Sequence, residues 1–265
     1  VLALILAALR VDAAQPPRIV SLMPSLTEDL FAIGAGSQVI GVSQFTDYPP
    51  AAARLPQVAS FSSLDAEQIV RLHPDVVVGI PSQAALTADL RRAGLRTVLI
   101  SDDGYDDIFA DLAALGRLSG RASEAAALSA RLRAQTVELM RRVPRGARPR
   151  VFVVLGVAPI FTVGDRSYIA HLLALAGARN AANNVSEAYA RYSPEAVLAL
   201  QPDVIVADHA SGLAAVLNRP PWNSLAAVKA KRVYVIDDAD LLERPGPRYN
   251  DGLAWLIGKL HPHGR

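Results

Sequence analysis

Two stretches of this chain echo one another at about half its length. Glu67-Gln-Ile-Val-Arg-Leu-His-Pro74-Asp75-Val-Val-Val78 and Glu195-Ala-Val-Leu-Ala-Leu-Gln-Pro202-Asp203-Val-Ile-Val206 share Glu, Leu, Pro, Asp and two Val at a constant offset of 128 residues. Each reads as a short helix stopped before Pro-Asp and followed by a continuous apolar strand. The offset is far longer than the period of a solenoid repeat. Two similar α/β lobes are the simplest account, and chance similarity of two such units is the alternative. At 265 residues and 51% apolar content, the chain can bury the core that either arrangement needs.

Strands and helices alternate around both copies. Arg18–Leu22, Val39–Val42, Asp75–Ile80 and Thr97–Ile100 read as strands, and Val151–Leu155, Asp203–Ala207 and Arg232–Ile236 continue the pattern. Continuous Val/Ile runs between helices predict parallel sheets covered on both faces. Ser25 and Glu28 stand at capping-box spacing ahead of a helix through Ile33. Further helices are expected over Glu67–Leu72, Ala84–Ala93, Ile169–Ala176, Glu195–Leu200 and Tyr249–Leu260. Residues 121–143 hold neither Gly nor Pro and predict one long helix of roughly 35 Å. The expected organisation is an N-terminal α/β lobe (15–118), a rigid bridging helix (119–145) and a C-terminal α/β lobe (146–265).

Residues 1–9, VLALILAAL, followed by Arg10-Val11-Asp12-Ala13-Ala14, read as the apolar region and cleavage region of a signal peptide. Residues 1–14 are therefore expected to be a truncated export signal, with a periplasmic mature protein that does not insert into the membrane. Nine apolar residues are too few for a bilayer span, which needs ~20. The 27 basic and 25 acidic residues leave a net charge of +2 with no basic run, which argues against nucleic acid as a partner. The absence of cysteine excludes disulfides, thiolate metal sites and cysteine nucleophiles.

Enzyme signatures are scarce: there is no Walker A sequence, no G-x-G-x-x-G opening a helix, no H-E-x-x-H and no G-x-S-x-G. None of the five histidines forms an i, i+4 pair, so no metal site is expected. His209 follows the strand Asp203–Ala207, at the strand end where open α/β sheets hold ligands, or else is a solvated loop histidine. Phe45, Tyr48, Phe61, Phe161, Tyr189 and Tyr192 all fall in predicted loops. Aromatic side chains there either wall a cleft for a large flat ligand or pack beneath their own loops.

The segments GVSQFTDYPP (41–50), LDAEQIVRLHPDVVV (64–78), PIFTVG (159–164) and DLLERPGPR (240–248) resemble the periplasmic cobalamin-binding proteins of ABC importers. The resemblance runs over nearly all of the chain beyond residue 14. It implies two α/β lobes joined by one long helix, and a non-enzymatic, monomeric carrier. The carrier would hold cobalamin or a related corrinoid in the inter-lobe cleft and deliver it to a permease dimer. No cofactor of its own is implied. By this resemblance Tyr48 and Phe161 pack against the ligand. Phe61 and Tyr189 stand where relatives have tryptophans, and Asp240 and Arg244 reach the corrin amides. Glu67 and Glu195 match the acidic residue on the outer face of each lobe that docks onto permease arginines. Both also suit the positive end of a helix on their own account.

This chain departs from the pattern in two places. PSQAAL follows the strand DVVVGI where a tryptophan is expected, and Leu241 replaces an aromatic. An iron–siderophore or haem is the alternative ligand, with Tyr48, Tyr189, Tyr192, His209 and Arg244 as iron ligands or carboxylate partners. An enzyme on the same scaffold is the remote alternative.

Overall fold

Each half of the chain builds a parallel sheet. The computed structural model describes residues 15–101, 104–146 and 148–262, so the expected signal peptide lies outside the described residues. In the first half, β1 (Ile19–Ser21), β2 (Val39–Ser43), β3 (Gln57–Ala59), β4 (Val76–Gly79) and β5 (Thr97–Leu99) pair in the order β3-β2-β1-β4-β5. The second half adds β6 (Arg150–Val154), β7 (Gly156–Val157), β8 (Ile160–Val163), β9 (Arg179–Asn180), β10 (Tyr189–Tyr192), β11 (Val204–Asp208) and β12 (Val233–Ile236). Of these, β12-β11-β6-β9 form a parallel sheet, and β10-β8-β7 a small antiparallel one. β1 and β4 are buried along their whole length, as continuous apolar strands covered on both faces must be.

Helices flank the sheets: α1 (Pro24–Ala32), α2 (Ala66–Arg71), α3 (Ala88–Arg92), α4 (Asp107–Ser119), α5 (Ala122–Met140) and α6 (Tyr168–Leu175). They continue with α7 (Pro194–Leu200), α8 (Leu213–Val216), α9 (Ala226–Lys229), α10 (Asp240–Glu243) and α11 (Tyr249–Leu260). Among the described residues no helix is long and apolar enough to cross a membrane.

The echo in the sequence is a repeated fastening. Asp75 Oδ2 accepts from the backbone N–H of Arg18 at 2.7 Å, and Asp203 Oδ2 accepts from that of Arg150 at 2.7 Å. The guanidinium of Arg18 donates to the Leu72 carbonyl at 2.8 Å, and that of Arg150 to the Leu200 carbonyl at 2.7 Å. Each arginine thus satisfies a carbonyl at a helix end that has no partner within the helix. His73 (φ 48°) and Gln201 (φ 42°) take the left-handed conformation that stops each helix before its Pro-Asp.

The connection between lobes is α5, 19 residues and about 28 Å long, somewhat shorter than expected. It folds back on α4, a helix the sequence reading passed over although Ile108, Phe109, Leu112 and Leu115 mark its buried face. The two cross where Gly116 meets Ala125, leaving no room for a Cβ at Gly116. α4 packs on α1 of the first lobe and α5 on α11 of the second. The largest apolar cluster accordingly runs unbroken from Ile19 and Leu30 through Leu112 and Leu132 to Val206 and Leu256. The fold is two α/β lobes with mainly parallel sheets, bridged by one long rigid helix.

Three local expectations need correction. Ser25 is inside α1 and does not cap it; Met23 holds the cap position without a side-chain bond, and Glu28 is drawn away to two arginines of the other lobe. α3 begins at Ala88, four residues later than expected, because Gln83 is held by Ile80 N–H and the Leu22 carbonyl in a preceding single turn. Phe161, Tyr189 and Tyr192 lie on strands β8 and β10, not in loops. Four-residue strands carry too little alternation to be told from loops.

Candidate functional site

A cavity of about 420 Å³ opens between the lobes at the carboxyl ends of the strands. Its first-lobe wall comprises Ser25, Ser43, Phe45, Phe61, Ile80 and Ser82, which follow or end β1 to β4. Tyr168, Tyr189, Glu243 and Arg244 form the opposite wall. Strand carboxyl ends leave loops free to vary above a fixed sheet, so open α/β sheets hold ligands there. Phe45 is 69% exposed, Phe61 70% and Tyr189 50%, so three aromatic surfaces face the cleft unburied.

The sequence-singled aromatics divide into two ranks. Phe61 and Tyr189 line the cavity directly. Phe161 stands behind Tyr189, stacked on it at 5.9 Å between ring centres with the planes 14° apart. The register of β8 and β10 pairs Phe161 with Arg191, so Tyr189 is its diagonal neighbour on the same face. Gly164 ends β8 where a Cβ would lie 1.9 Å from the Glu187 carbonyl oxygen, which fixes the approach of the chain leading to Tyr189. Tyr48 is not on the wall; its ring carries the Arg248 guanidinium at 4.1 Å. Tyr192 turns to the core beside Phe152 and donates to Asn184 at 2.7 Å.

Charged groups tie the two lobes together at one end of the cleft. Arg248 grips Glu28 through Nε (2.8 Å) and Nη2 (2.9 Å), and donates through Nη1 to Asp238 (2.9 Å). Arg244 donates to Glu28 (3.1 Å), Asp47 (2.9 Å), Asp240 (2.9 Å) and the Phe45 carbonyl (2.8 Å). The Glu28 side chain is only 3% exposed, and each arginine 15%. A carboxylate so buried needs its full set of donors, and two guanidinia supply them. Phe45 takes a left-handed backbone (φ 64°) at the residue whose carbonyl meets Arg244. Asp240 therefore contacts Arg244 and does not line the cavity.

The network depends on the short helix α10 lying against α11. Gly252 allows this, since a Cβ there would sit 2.0 Å from the Leu241 carbonyl oxygen. Burial is the main cause that pushes the Asp240 carboxyl up to about 6, with Arg244 opposing and Asp47 and Asp238 adding to the rise. Glu243 is an exposed residue of the cavity wall, where the surrounding protein displaces part of the water around its carboxyl. That loss of water, then repulsion from Asp208 and Asp240, raises its carboxyl to about 7, with Arg244 opposing.

Glu67 and Glu195 are exposed, and each is the second residue of its helix. Asp65 and Ser193 cap these helices through Gln68 and Ala196 N–H. Hydrogen bonds from its own backbone N–H and from Ser193 hold the Glu195 carboxyl below its ordinary range. His209 pairs with Asp237 at 3.0 Å on an exposed loop and does not reach the cavity wall. Glu28, Arg248 and Glu243 are parts of the site region to which the sequence gives no site role, and Phe45 is marked there only as one of the loop aromatics. The spacing of Glu28 imitated a cap, and the arginine partners lie more than 200 residues away.

The periplasmic binding protein family model matches residues 19–239. A vitamin B12-binding protein of Pectobacterium carotovorum is 32% identical over 243 residues, covering 89% of this chain and 85% of that protein. Among solved structures, the periplasmic vitamin B12-binding protein of Vibrio cholerae superposes with a TM-score of 0.81 at 28% identity, covering 93% of this chain and 98% of its own. A periplasmic heme-binding protein from Roseiflexus superposes with a TM-score of 0.83 at 26% identity, covering 94% of this chain and 100% of its own.

Proposed function

Because the chain belongs to the periplasmic binding protein family, of ABC-transporter type, we propose that it captures cobalamin or a related corrinoid between its lobes and delivers it to an importer. It acts without catalysis, as an exported monomer. The observation that carries this reading is the set of exposed aromatic surfaces, Phe45, Phe61 and Tyr189, converging on one cavity between the lobes. A corrin is a broad ring with apolar faces and an amide fringe. Flat aromatic walls suit the faces, and the hydroxyls of Ser25, Ser43 and Ser82 suit the fringe. The B12-binding relatives at about 30% identity support the same ligand class.

Delivery runs through the helices that carry Glu67 and Glu195, one on each lobe. A permease dimer offers two equivalent surfaces, and one acidic residue per lobe meets both. Arg244 steadies the lobes more than it reaches for ligand, since carboxylates and a carbonyl already occupy four of its five N–H donors.

A second reading places haem or a ferric siderophore in the same cleft. The exposed phenol of Tyr189 on the wall favours it, because a tyrosine oxygen can ligate ferric iron. Calorimetric titration of the protein with cyanocobalamin, haem and a ferric hydroxamate decides. Tight binding of cyanocobalamin alone is the expected result, and preference for either iron compound overturns the corrinoid reading.

A further inference from the structure

Among the described residues the cavity wall holds one cation and one carboxylate, Arg244 and Glu243. Four of the five N–H donors of the cation are engaged. Arg244 Nη1 serves Glu28 and Asp47, Nη2 the Phe45 carbonyl, and Nε Asp240. The nearby Arg248 is likewise engaged by Glu28 and Asp238 and stacks on Tyr48. Four carboxylates, those of Glu28, Asp47, Asp238 and Asp240, thus surround two guanidinia, and the cluster carries surplus negative charge when all are ionised. Glu243 adds to that surplus. Its carboxylate makes no ion pair or hydrogen bond among the described residues, and its charged neighbours are Asp208 and Asp240, which repel it, and Arg244, which attracts it.

A ligand entering with carboxylates of its own meets, among the described residues, a guanidinium already paired with carboxylates inside a cluster of surplus negative charge. To engage Arg244 through more than its remaining Nη2 N–H it would have to displace the buried Glu28, which is costly, or the exposed Asp47, whose negative charge would stay beside it. A ligand whose edge groups are amides meets the opposite situation. Amide N–H groups are donors, and Glu243 is an acceptor facing the same space.

We propose that this cleft selects by charge, accepting macrocycles with uncharged, amide-like side groups and rejecting those with carboxylates, and that Glu243 is the residue setting this preference. The proposal deepens the corrinoid reading and rests on it for the ligand's ring.

The test is titration of the full chain at pH 8 with two matched pairs: cobyrinic acid against its amide form, and haem against its dimethyl ester. The uncharged member of each pair is expected to bind at least about tenfold more tightly. Glu243→Gln should shrink that ratio, and Glu243→Lys should shrink it further or reverse it; circular dichroism verifies that each variant is folded. Equal or tighter binding of the anionic members by the unmodified protein overturns the proposal, and so does an unchanged ratio in both folded variants. Failure of the corrinoid reading looks different. If neither corrin binds but the haem pair still divides by charge, the ring assignment falls and the charge preference stands.

Discussion

Glu28 and Arg248, 220 residues apart in sequence, meet across the lobes as a two-pronged ion pair with contacts of 2.8 and 2.9 Å. Glu28 is the hub, since Arg244 reaches it as well. Replacing it by Gln removes the buried carboxylate that the two guanidinia share, which Asp47, Asp238 and Asp240 at the cluster's edge do not replace. Glu28→Gln should therefore cost ~3–5 kcal/mol of stability, the scale for breaking a buried pair from one side. Urea unfolding measures it, and a loss under about 1 kcal/mol would mean that solvent already screens the pair.

Stability should fall as the solution passes from mildly acid to neutral pH. In the unfolded chain Glu243 loses its proton near its ordinary 4.5, whereas in the folded protein it keeps it to about 7. Between those values the native state binds more protons, so raising the pH favours unfolding. Asp240, at about 6 against an ordinary 3.8, acts in the same direction over a lower range. The melting temperature should decline across this window, and Glu243→Gln should flatten the upper part of the decline. A variant with the same pH profile as the unmodified protein would contradict the assignment.

Aromatic truncation should separate the two ranks of the cleft. Tyr189→Ala removes a wall and should weaken cyanocobalamin binding by ~1–3 kcal/mol, the scale of burying an aromatic side chain. Phe161→Ala should act through Tyr189 by unseating the ring stacked upon it, so the double variant should lose less than the sum of the singles. Strict additivity in calorimetry would show that the stack is unimportant for binding.

Charge reversal at Glu67 and Glu195 should leave ligand affinity alone and stop uptake. A single reversal removes one of two linked contacts and should have a partial effect, whereas Glu67→Arg with Glu195→Arg removes both. If these residues only stabilise their helices, the cost is a stability loss of ~0.3–1 kcal/mol each and normal transport. Permease-coupled uptake and melting temperature, measured on the same proteins, distinguish the outcomes.

Gly252→Ala should destabilise the protein and weaken the lobe contact together. The added methyl meets the Leu241 carbonyl, so α10 must shift, and with it the segment carrying Asp240 and Arg244. Forced repacking of this kind costs ~1–3 kcal/mol. A melting temperature within a degree of the unmodified protein, with the Arg244 contacts intact by crystallography, would contradict this account.

Much of the scaffold was legible because it is written locally. The closing helix Tyr249–Leu260 has the predicted bounds, and the Pro-Asp echo marks equivalent fasteners in the two lobes. What was misread is either too short or too distant. β10 has only Tyr189–Tyr192 to display alternation, so its aromatics passed for loop residues. Glu28 has a plausible local partner in Ser25 and two real ones beyond residue 240, and nothing in a local window ranks the second above the first. α4 is a different case: its apolar spacing is plain, and the bridging role was ascribed to its neighbour alone. Phe61 and Tyr189 were selected through resemblance, and both lie on the cavity wall. Phe45, on the same wall, is marked in the sequence only as a loop aromatic, with no role from the resemblance.

The unbroken apolar cluster through α4 and α5 has a consequence for traffic at the membrane. A carrier whose halves clamp shut on their cargo advertises its load by its outline. Here the core and the Glu28 hub should hold the halves at nearly one separation, so full and empty carriers are expected to present almost the same silhouette. On the reading proposed above, an importer would then have little basis for turning away an empty visitor. Unladen copies should compete for its doorstep, and uptake at fixed ligand should pass through a maximum and decline as carrier is added in excess.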